Sequence, residues 1–430
     1  MTKSKSQYYT IAWSVFLVGM LYYCFAYLLR VYPNIMKDQL FGHFGIASSG
    51  FGLLTAVYYF AYAPMQLPVG VSVDKIGPRR SLIGACLIST VGALIFSMTA
   101  DYYIALFGRF LIGLGAAFAY VTALKLATIW LPRKYFATAT GAVTGFGMIA
   151  AMFTEVKFTQ LVQTEGFQSA LNFPVYAGCA ILVLILLFIR DKPKVAIEGI
   201  QQLEDASALS YHQLKEYLKL IMKSRQMWYI GIIGALLYMP SSVFLDVWAI
   251  PYLETAHGFT AVQAAYGVTI MLFGWIFSSI ATGAISDVVG NRKIFLVVAA
   301  FISFSLSLVL LYVDNLSIIT VFTLLFLFGV SCGPHPLCFT LSKESNPQKI
   351  SGTAVAFANF IIMMGGFIFQ PVVGKLLDMF WAGTLHNGIR VYSPHNYTLS
   401  LTLIPAGLFI ALLLSLRIKD TYHTAVDKHS

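Results

Sequence analysis

Arg30, Arg109, Glu155, Asp246 and His335 all stand inside long apolar runs. An ionised side chain placed there costs about 2.5–3.5 kcal/mol on insertion scales, so it persists where it faces a partner or an aqueous cavity. Arg30, in Tyr27-Leu28-Leu29-Arg30, can grip a carboxylate through a two-pronged, charge-assisted hydrogen bond. The alternative is a snorkelling arginine at a helix end. Arg109 and Glu155 fall at similar depth, and two roles are open to them: a fixed salt bridge, or a carboxyl that loads and releases a proton. Asp246 is a second proton-carrier candidate, or else a cap beside a break at Pro251. His335 titrates near neutral pH, or satisfies broken backbone between Pro334 and Pro336. Tyr27, Arg109, Trp248 and Asn359 could touch a solute, and Tyr23, Tyr58, Tyr59 and Tyr266 could line a cavity or simply pack. Lys125 and Lys157 read as snorkelling or paired. No nucleophile–base pair appears in the apolar runs, no Walker-type phosphate loop, and no metal-ligand spacing among the five cysteines, which read as packing residues. The expectation is a protein that is not an enzyme and carries no cofactor or metal.

These side chains must be positioned by membrane-spanning helices. The 430 residues are 58% hydrophobic and only 11% charged, with mean hydropathy +0.76. A water-soluble protein carries about 25% charged residues, so the lipid bilayer is the natural solvent. Taking runs of about 17–25 apolar residues as spans, we read twelve. They lie near 11–36, 48–70, 81–99, 103–127, 136–160 and 171–190, then near 228–253, 262–284, 293–313, 316–341, 351–376 and 398–417. The net charge of +10 does not signal nucleic acid. If the N-terminus is cytoplasmic, 21 of the 28 Lys and Arg fall in cytoplasmic segments, leaving Arg30, Lys37, Arg109, Lys125, Lys157, Lys375 and Arg390 elsewhere. That is the positive-inside pattern, and it puts both termini in the cytoplasm. The first apolar run has no small-residue cleavage site after it and reads as a retained helix. The expected organisation is an N-terminal six-helix bundle (1–190), a cytoplasmic linker (191–227) and a C-terminal six-helix bundle (228–430). Within the linker, Leu214, Tyr217, Leu218 and Ile221 recur at helical spacing opposite Lys215, Lys219 and Lys223, the pattern of an amphipathic helix on the inner membrane surface. The loop from Leu377 to Tyr397 is expected to be long and external.

Two short charged hinges tie the halves together. Gly70, Asp74, Gly77, Arg79 and Arg80 lie between spans 2 and 3, and Gly283, Asp287, Gly290, Arg292 and Lys293 between spans 8 and 9. Gly70 to Gly283 and Asp74 to Asp287 are each 213 residues apart, the offset of an internal repeat. Gly113 of span 4 aligns with Gly329 of span 10, with Leu325 in the place of Arg109. These hinges, and Arg109-Phe-Leu-Ile-Gly113-Leu-Gly115, resemble the signatures of the major facilitator superfamily. The resemblance covers essentially the whole chain. It implies an all-α membrane protein of two pseudo-symmetric six-helix bundles, with the hinge carboxylates and bases forming a charge–dipole latch. Tyr27-Leu-Leu-Arg30 is similar to the span-1 motif of organic-anion and organophosphate transporters, in which the arginine faces the central cavity. The chain departs from that pattern in two places: Leu29 stands where many anion:cation symporters have Asp, and Asp246 where organophosphate exchangers have a second arginine. Gly145-Phe-Gly147 lacks the proline of the drug:proton antiporter signature.

The expected function is secondary active transport of a small polar, carboxylate-bearing metabolite by alternating access, driven by protons carried on Glu155, Asp246 or His335. An uncoupled facilitator or exchanger, or a solute sensor on a transporter scaffold, is the alternative. The expected partners are a small solute, protons and the lipid of the inner or plasma membrane, with the chain monomeric.

Overall fold

The computed structural model describes residues 5–131, 136–191, 210–347, 350–386 and 389–420. Ten helical stretches among them are long and apolar enough to cross a bilayer. The pair Lys37–Phe44 and Ser48–Met65, bent by 107°, makes an eleventh when taken together as one span. Phe136–Glu165, with 30 residues, has the length for a twelfth, since about 20 suffice.

The helices begin and end close to the polar breaks, with local causes. Span 1 is Lys5–Ile35. Span 2 is Ser48–Met65, continued after a turn at 66–68 by Val69–Ile76; Pro68 lacks the amide that would carry the ladder through. Span 3 (Pro78–Met98) opens on Gly77 at φ +89°, which a side chain would resist. Span 4 is Tyr102–Ala116 followed by Ala119–Trp130, its start capped by Asp101 accepting from the Ile104 amide at 2.9 Å. Spans 5 and 6 are Phe136–Glu165 and Phe167–Phe188. In the second half span 8 (Ala261–Val289) ends at Gly290, φ +67°, and span 9 is Arg292–Tyr312. Span 10 is Ile318–Cys332 plus Leu337–Glu344, span 11 is Ser351–Phe380, and span 12 is Pro394–Leu401 plus Leu403–Ser415.

Span 7 departs from the expected geometry. It runs as Arg225–Met239, then a wide π-helical stretch Pro240–Trp248, then Ala249–His257. Pro251 therefore sits in the first turn of a helix, where proline is tolerated, and no break occurs there. The loop expected from Leu377 to Tyr397 is also shorter, because span 11 continues to Phe380 and span 12 starts at Pro394; a hairpin pairs Leu385–His386 with Ile389–Arg390 between them. The amphipathic helix is present as Tyr211–Met222, with a capping box between Ser210 and Gln213. Two residues of its apolar stripe, Leu214 and Ile221, are buried in the protein. Ile221 is buried with Met227, Ala354, Phe357 and Ala358, and Leu67 and Leu218 pack on the same cluster. Tyr211 reaches back to Ser72 at 3.0 Å and lies under the Lys75 ammonium at 4.3 Å, so this helix touches both bundles. On its exposed face, Lys219 holds the Glu216 carboxyl below the usual carboxylate range. Residues 192–209, Arg133 and Lys134 lie outside the described residues, as does the Asp287 side chain.

The repeat is visible in the packing. A Cβ on Gly113 would collide with the Tyr58 carbonyl of span 2, and one on Gly329 with the Met271 carbonyl of span 8. Backbones this close are what small residues allow in lipid, where dispersion rather than hydrophobicity holds helices together. We expect Gly113→Leu and Gly329→Leu each to cost about 3 kcal/mol or more, the range of severe overpacking, seen as a lower melting temperature in detergent. Gly84→Ala, where an added Cβ meets nothing within 4 Å, should leave melting unchanged.

Candidate functional site

One face of the molecule carries the two hinges; we call the opposite one the far face. Between mid-membrane and the far face, the bundles are bonded by a series of contacts from spans 1 and 2 to spans 7, 11 and 12. Arg30 is central to them. Its Nε lies 3.2 Å from Oδ2 of Asp246 and its NH2 donates to Oδ1 at 3.3 Å, while NH1 donates to the Tyr238 hydroxyl at 3.1 Å. Tyr59 donates a short hydrogen bond to Oδ2 of Asp246. The Tyr27 ring lies under the guanidinium at 4.5 Å, a cation–π contact that holds the plane of the fork. The two charged side chains are 12% and 6% exposed, so the pair is nearly dry, and taking away one partner would strand the other. Hinge-ward of it, Tyr23, Tyr27, Tyr62 and Tyr120 are half-buried.

Sequence reasoning found Arg30, Tyr27 and Asp246 separately. It did not join them, since they lie 216 residues apart, and it missed Tyr238 altogether. The π-helical stretch accounts for part of this. Its wider turn changes which residues of span 7 face span 1, and no periodicity in the sequence announces it.

Other expected site residues fall elsewhere. Arg109 does not pair with Glu155 and does not face a cavity. It is 1% exposed, donates to the Leu29 carbonyl at 2.6 Å and the Leu54 carbonyl at 3.3 Å, and lies over the Tyr58 ring. It braces spans 1, 2 and 4. Glu155 is 1% exposed with Oε2 unpartnered, and its carboxyl faces the Asn34 amide. Asn34 in turn donates to the Leu245 carbonyl across the bundle boundary at 3.3 Å. Trp248 is fully buried against Phe51 at 5.8 Å. Asn359 donates to Gln66 at 3.0 Å, joining spans 11 and 2 on the hinge side. His335 is buried in a tight turn, stacked on Tyr238 at 4.9 Å and beside Trp275, which makes it part of the wall behind Tyr238. Of the cavity aromatics, Tyr58 and Tyr59 are buried, and Tyr266 points outward with 46% exposure. Lys157 is exposed and donates to Gln160 at 3.2 Å.

Towards the far face the closure continues. Lys37 bonds the Tyr397 hydroxyl at 2.7 Å. Asp378 of span 11 accepts from the Ser49 amide at 2.8 Å, at the start of span 2, and is itself held by Arg390 and Tyr392. A carboxylate at a helix N-terminus is a favourable placement.

The hinges are built from partners the sequence did not reveal. Asp74 pairs with Lys125 of span 4 at 3.0 Å. The Arg79 amide donates to Asp191 at 2.9 Å and its guanidinium to the Leu186 carbonyl at 3.2 Å. In the second half the Lys293 amide donates to Asp420 at 2.8 Å and its ammonium to the Leu416 carbonyl at 2.7 Å. Arg292 binds Glu344 at 3.3 Å and Ser286 at 2.7 Å. Gly77 and Gly290 have the positive φ of turn glycines, whereas Gly70 and Gly283 are helical with open space beside them. Asp191→Ala and Asp420→Ala each remove a carboxylate from a helix start. We expect each to lower stability by about 1 kcal/mol, measured by thermal melting with Asp→Asn as the milder control.

Two matching hinges, two glycine crossings and one charged pair between the bundles set a pattern for comparison with known proteins. The family model described as Major Facilitator Superfamily matches residues 11–371. The chain belongs to the major facilitator superfamily. Among its curated relatives, a probable sulfoacetate transporter of Cupriavidus necator is 25% identical over 276 residues. That match spans 63% of this chain and 64% of the relative, so the chain aligns with less than two thirds of that protein's length. A probable hexose phosphate transport protein of Chlamydia pneumoniae is 21% identical, covering 89% and 88% of the two chains. A probable galactarate/D-glucarate transporter of Bacillus subtilis is 21% identical, covering 90% of each. In fold, the chain is similar to an inward-facing, unoccupied bacterial homologue of the human lysosomal transporter Spinster, with TM-score 0.74 at 15% identity over 99% of both chains. The nucleoside transporter NupG matches with TM-score 0.73 at 12% identity, over 95% of this chain and 99% of that one. As a superfamily member the protein is a multi-pass membrane transporter of small solutes and not an enzyme.

Proposed function

We propose that this transporter moves a small carboxylate-bearing metabolite, an organic acid, amino acid or short peptide, together with protons. The observation that carries the reading is the ion pair between Arg30 and Asp246. A guanidinium already faced by a carboxylate along its Nε–NH2 edge, with Tyr27 beneath it, has the geometry in which it would hold a solute carboxylate. Asp246 then acts as a resident competitor. A solute anion can take Arg30 only if Asp246 lets go, and protonating Asp246 removes its charge and its claim on the guanidinium at once. A proton and an anion would thus enter together, with the buried charge kept balanced. Relatives named for sulfoacetate, galactarate or D-glucarate transport, and one named as a putative tartrate transporter in Agrobacterium vitis, suit a single cationic anchor. A phosphate ester suits it less, because the place of a second arginine is held by Asp246.

The basic residues gather on the hinge side, so we place that face and both termini in the cytoplasm of an inner or plasma membrane. We take the working unit as a monomer in which bundles 1–190 and 228–430 rock about the linker 191–227, the hinges acting as latches. Arg30, Tyr27 and Tyr238 form the solute site in this reading, with Asp246 and Glu155 as proton carriers.

Uptake into proteoliposomes tests it. A panel of organic acids, amino acids and dipeptides is offered with the outside acidic, and accumulation that a protonophore abolishes is expected for at least one carboxylate. Uptake indifferent to the gradient would leave an uncoupled facilitator or exchanger. Binding without counterflow would leave a sensor.

A further inference from the structure

The π-helical stretch Pro240–Trp248, which carries Asp246, is buried along its whole length. Backbone groups displaced by its wider turn must therefore find their partners inside the protein. One displacement is explicit. The Ala249 amide, which an α-helical turn would give to the Leu245 carbonyl, goes to Phe244 instead.

Two carboxamides from other spans donate to this backbone. Nδ2 of Asn34, on span 1, donates to the Leu245 carbonyl at 3.3 Å. Nε2 of Gln370, on span 11, donates to the Ser242 carbonyl at 2.5 Å. Both residues are 1% exposed. Gln370 stands where spans 2 and 11 meet backbone to backbone, since a Cβ on Gly52 would lie 2.6 Å from the Gln370 carbonyl. The oxygen ends of the same two amides, Oδ1 of Asn34 and Oε1 of Gln370, are buried without a hydrogen-bond partner. A buried polar atom left unmet is a cost, and Leu or Met would fill either place without it. Turning either amide over would set its oxygen against a carbonyl oxygen. The donor half of each side chain is thus the half the π stretch uses.

We propose that Gln370 and Asn34 are positioning residues for Asp246. By donating to the Ser242 and Leu245 carbonyls they hold the wide turn in place, and the wide turn keeps the carboxylate aimed at Arg30. Relaxed to α-helical spacing, the same backbone would present Asp246 on another side of the rod. The two holds differ in one respect. Gln370 belongs to the same bundle as span 7 and moves with it. Asn34 reaches Leu245 across the boundary that must part when the far side opens. Gln370 is the constant hold and Asn34 the conditional one, so opening of the far side slackens the aim of Asp246. The inference rests on the reading in which Arg30 and Asp246 form the working site, but its test needs neither solute nor gradient.

Melting of the intact protein in detergent at neutral pH tests it through a double-mutant cycle. Arg30→Ala, Asp246→Asn and the double variant are measured first with Gln370 in place. The cycle is then repeated on Gln370→Met, which keeps the volume and removes the donor, and on Asn34→Leu. The coupling is the shortfall of the double variant's shift from the sum of the single shifts. It should be several degrees in the native background, largely vanish with Gln370→Met and weaken with Asn34→Leu. A role in packing alone would lower every member of the cycle alike and leave the coupling whole. Coupling that survives intact in either background overturns the proposal while leaving the ion-pair site standing. No coupling even in the native background overturns both. If one of the two backgrounds fails to fold, the other decides.

Discussion

Arg30→Ala is expected to abolish uptake, with a drop of at least about 100-fold, because the loss of a buried charge-assisted contact of about 3 kcal/mol is a factor of more than 10². It should also destabilise the protein. Asp246, 5% exposed in the intact protein, would be left with the Tyr59 hydroxyl alone, and an uncompensated buried charge costs about 3–5 kcal/mol. The two effects can be separated by the double variant. Arg30→Ala with Asp246→Asn removes both charges, so melting should recover most of the loss while uptake stays absent. Arg30→Lys keeps the charge but not the fork, and should keep stability better than transport. If the double variant regains uptake, Arg30 is a structural partner of Asp246 and the anion site lies elsewhere.

The second large effect is expected at Asp246 alone. Asp246→Asn can still accept from Arg30 through its amide oxygen, but it no longer competes with a charge. A solute carboxylate should then bind about tenfold more tightly, a difference of about 1.4 kcal/mol. Transport should lose its dependence on the proton gradient, while exchange of solute for solute across the bilayer continues. The measurements are ligand-induced thermal shift for affinity, gradient-driven uptake for coupling and counterflow for exchange. An Asn variant that still concentrates solute against a gradient, at unchanged affinity, would place coupling outside this residue. Glu155→Gln, measured in parallel, shows whether the two carboxyls share the task.

Much of the architecture can be read from the chain because the bilayer imposes it. Apolar runs near helix length, the asymmetry of Lys and Arg, and hinges repeated at an offset of 213 residues each follow from the solvent or from duplication. The site was harder to read for a physical reason. Arg30 advertises itself as a charge in hydrocarbon, and so does Asp246, yet the pairing between them is a property of two bundles meeting. Nothing in the local pattern of either span encodes it. Arg109 misled in the same way: its burial is satisfied by the Leu29 and Leu54 carbonyls, which carry no sequence signal. Lys125 is the intermediate case, since a lysine near a span end was expected to snorkel or pair, and it pairs with Asp74. Asp191 and Asp420 were overlooked because they stand just past a span end, where a carboxylate looks like ordinary solvated loop.

In the stretch Pro240–Trp248 each backbone hydrogen bond spans one more residue than in the α-helix on either side. A helix with that surplus can hand it along the rod: if the surplus migrates past Asp246, the carboxylate swings through roughly 100°, about the angle between successive side chains. In that event the rod would need neither to tilt nor to unwind for its acid to turn from one bundle towards the other. Removing one residue between Ser241 and Val243 would fix the acid in a single position, leaving a well-folded carrier that cannot cycle.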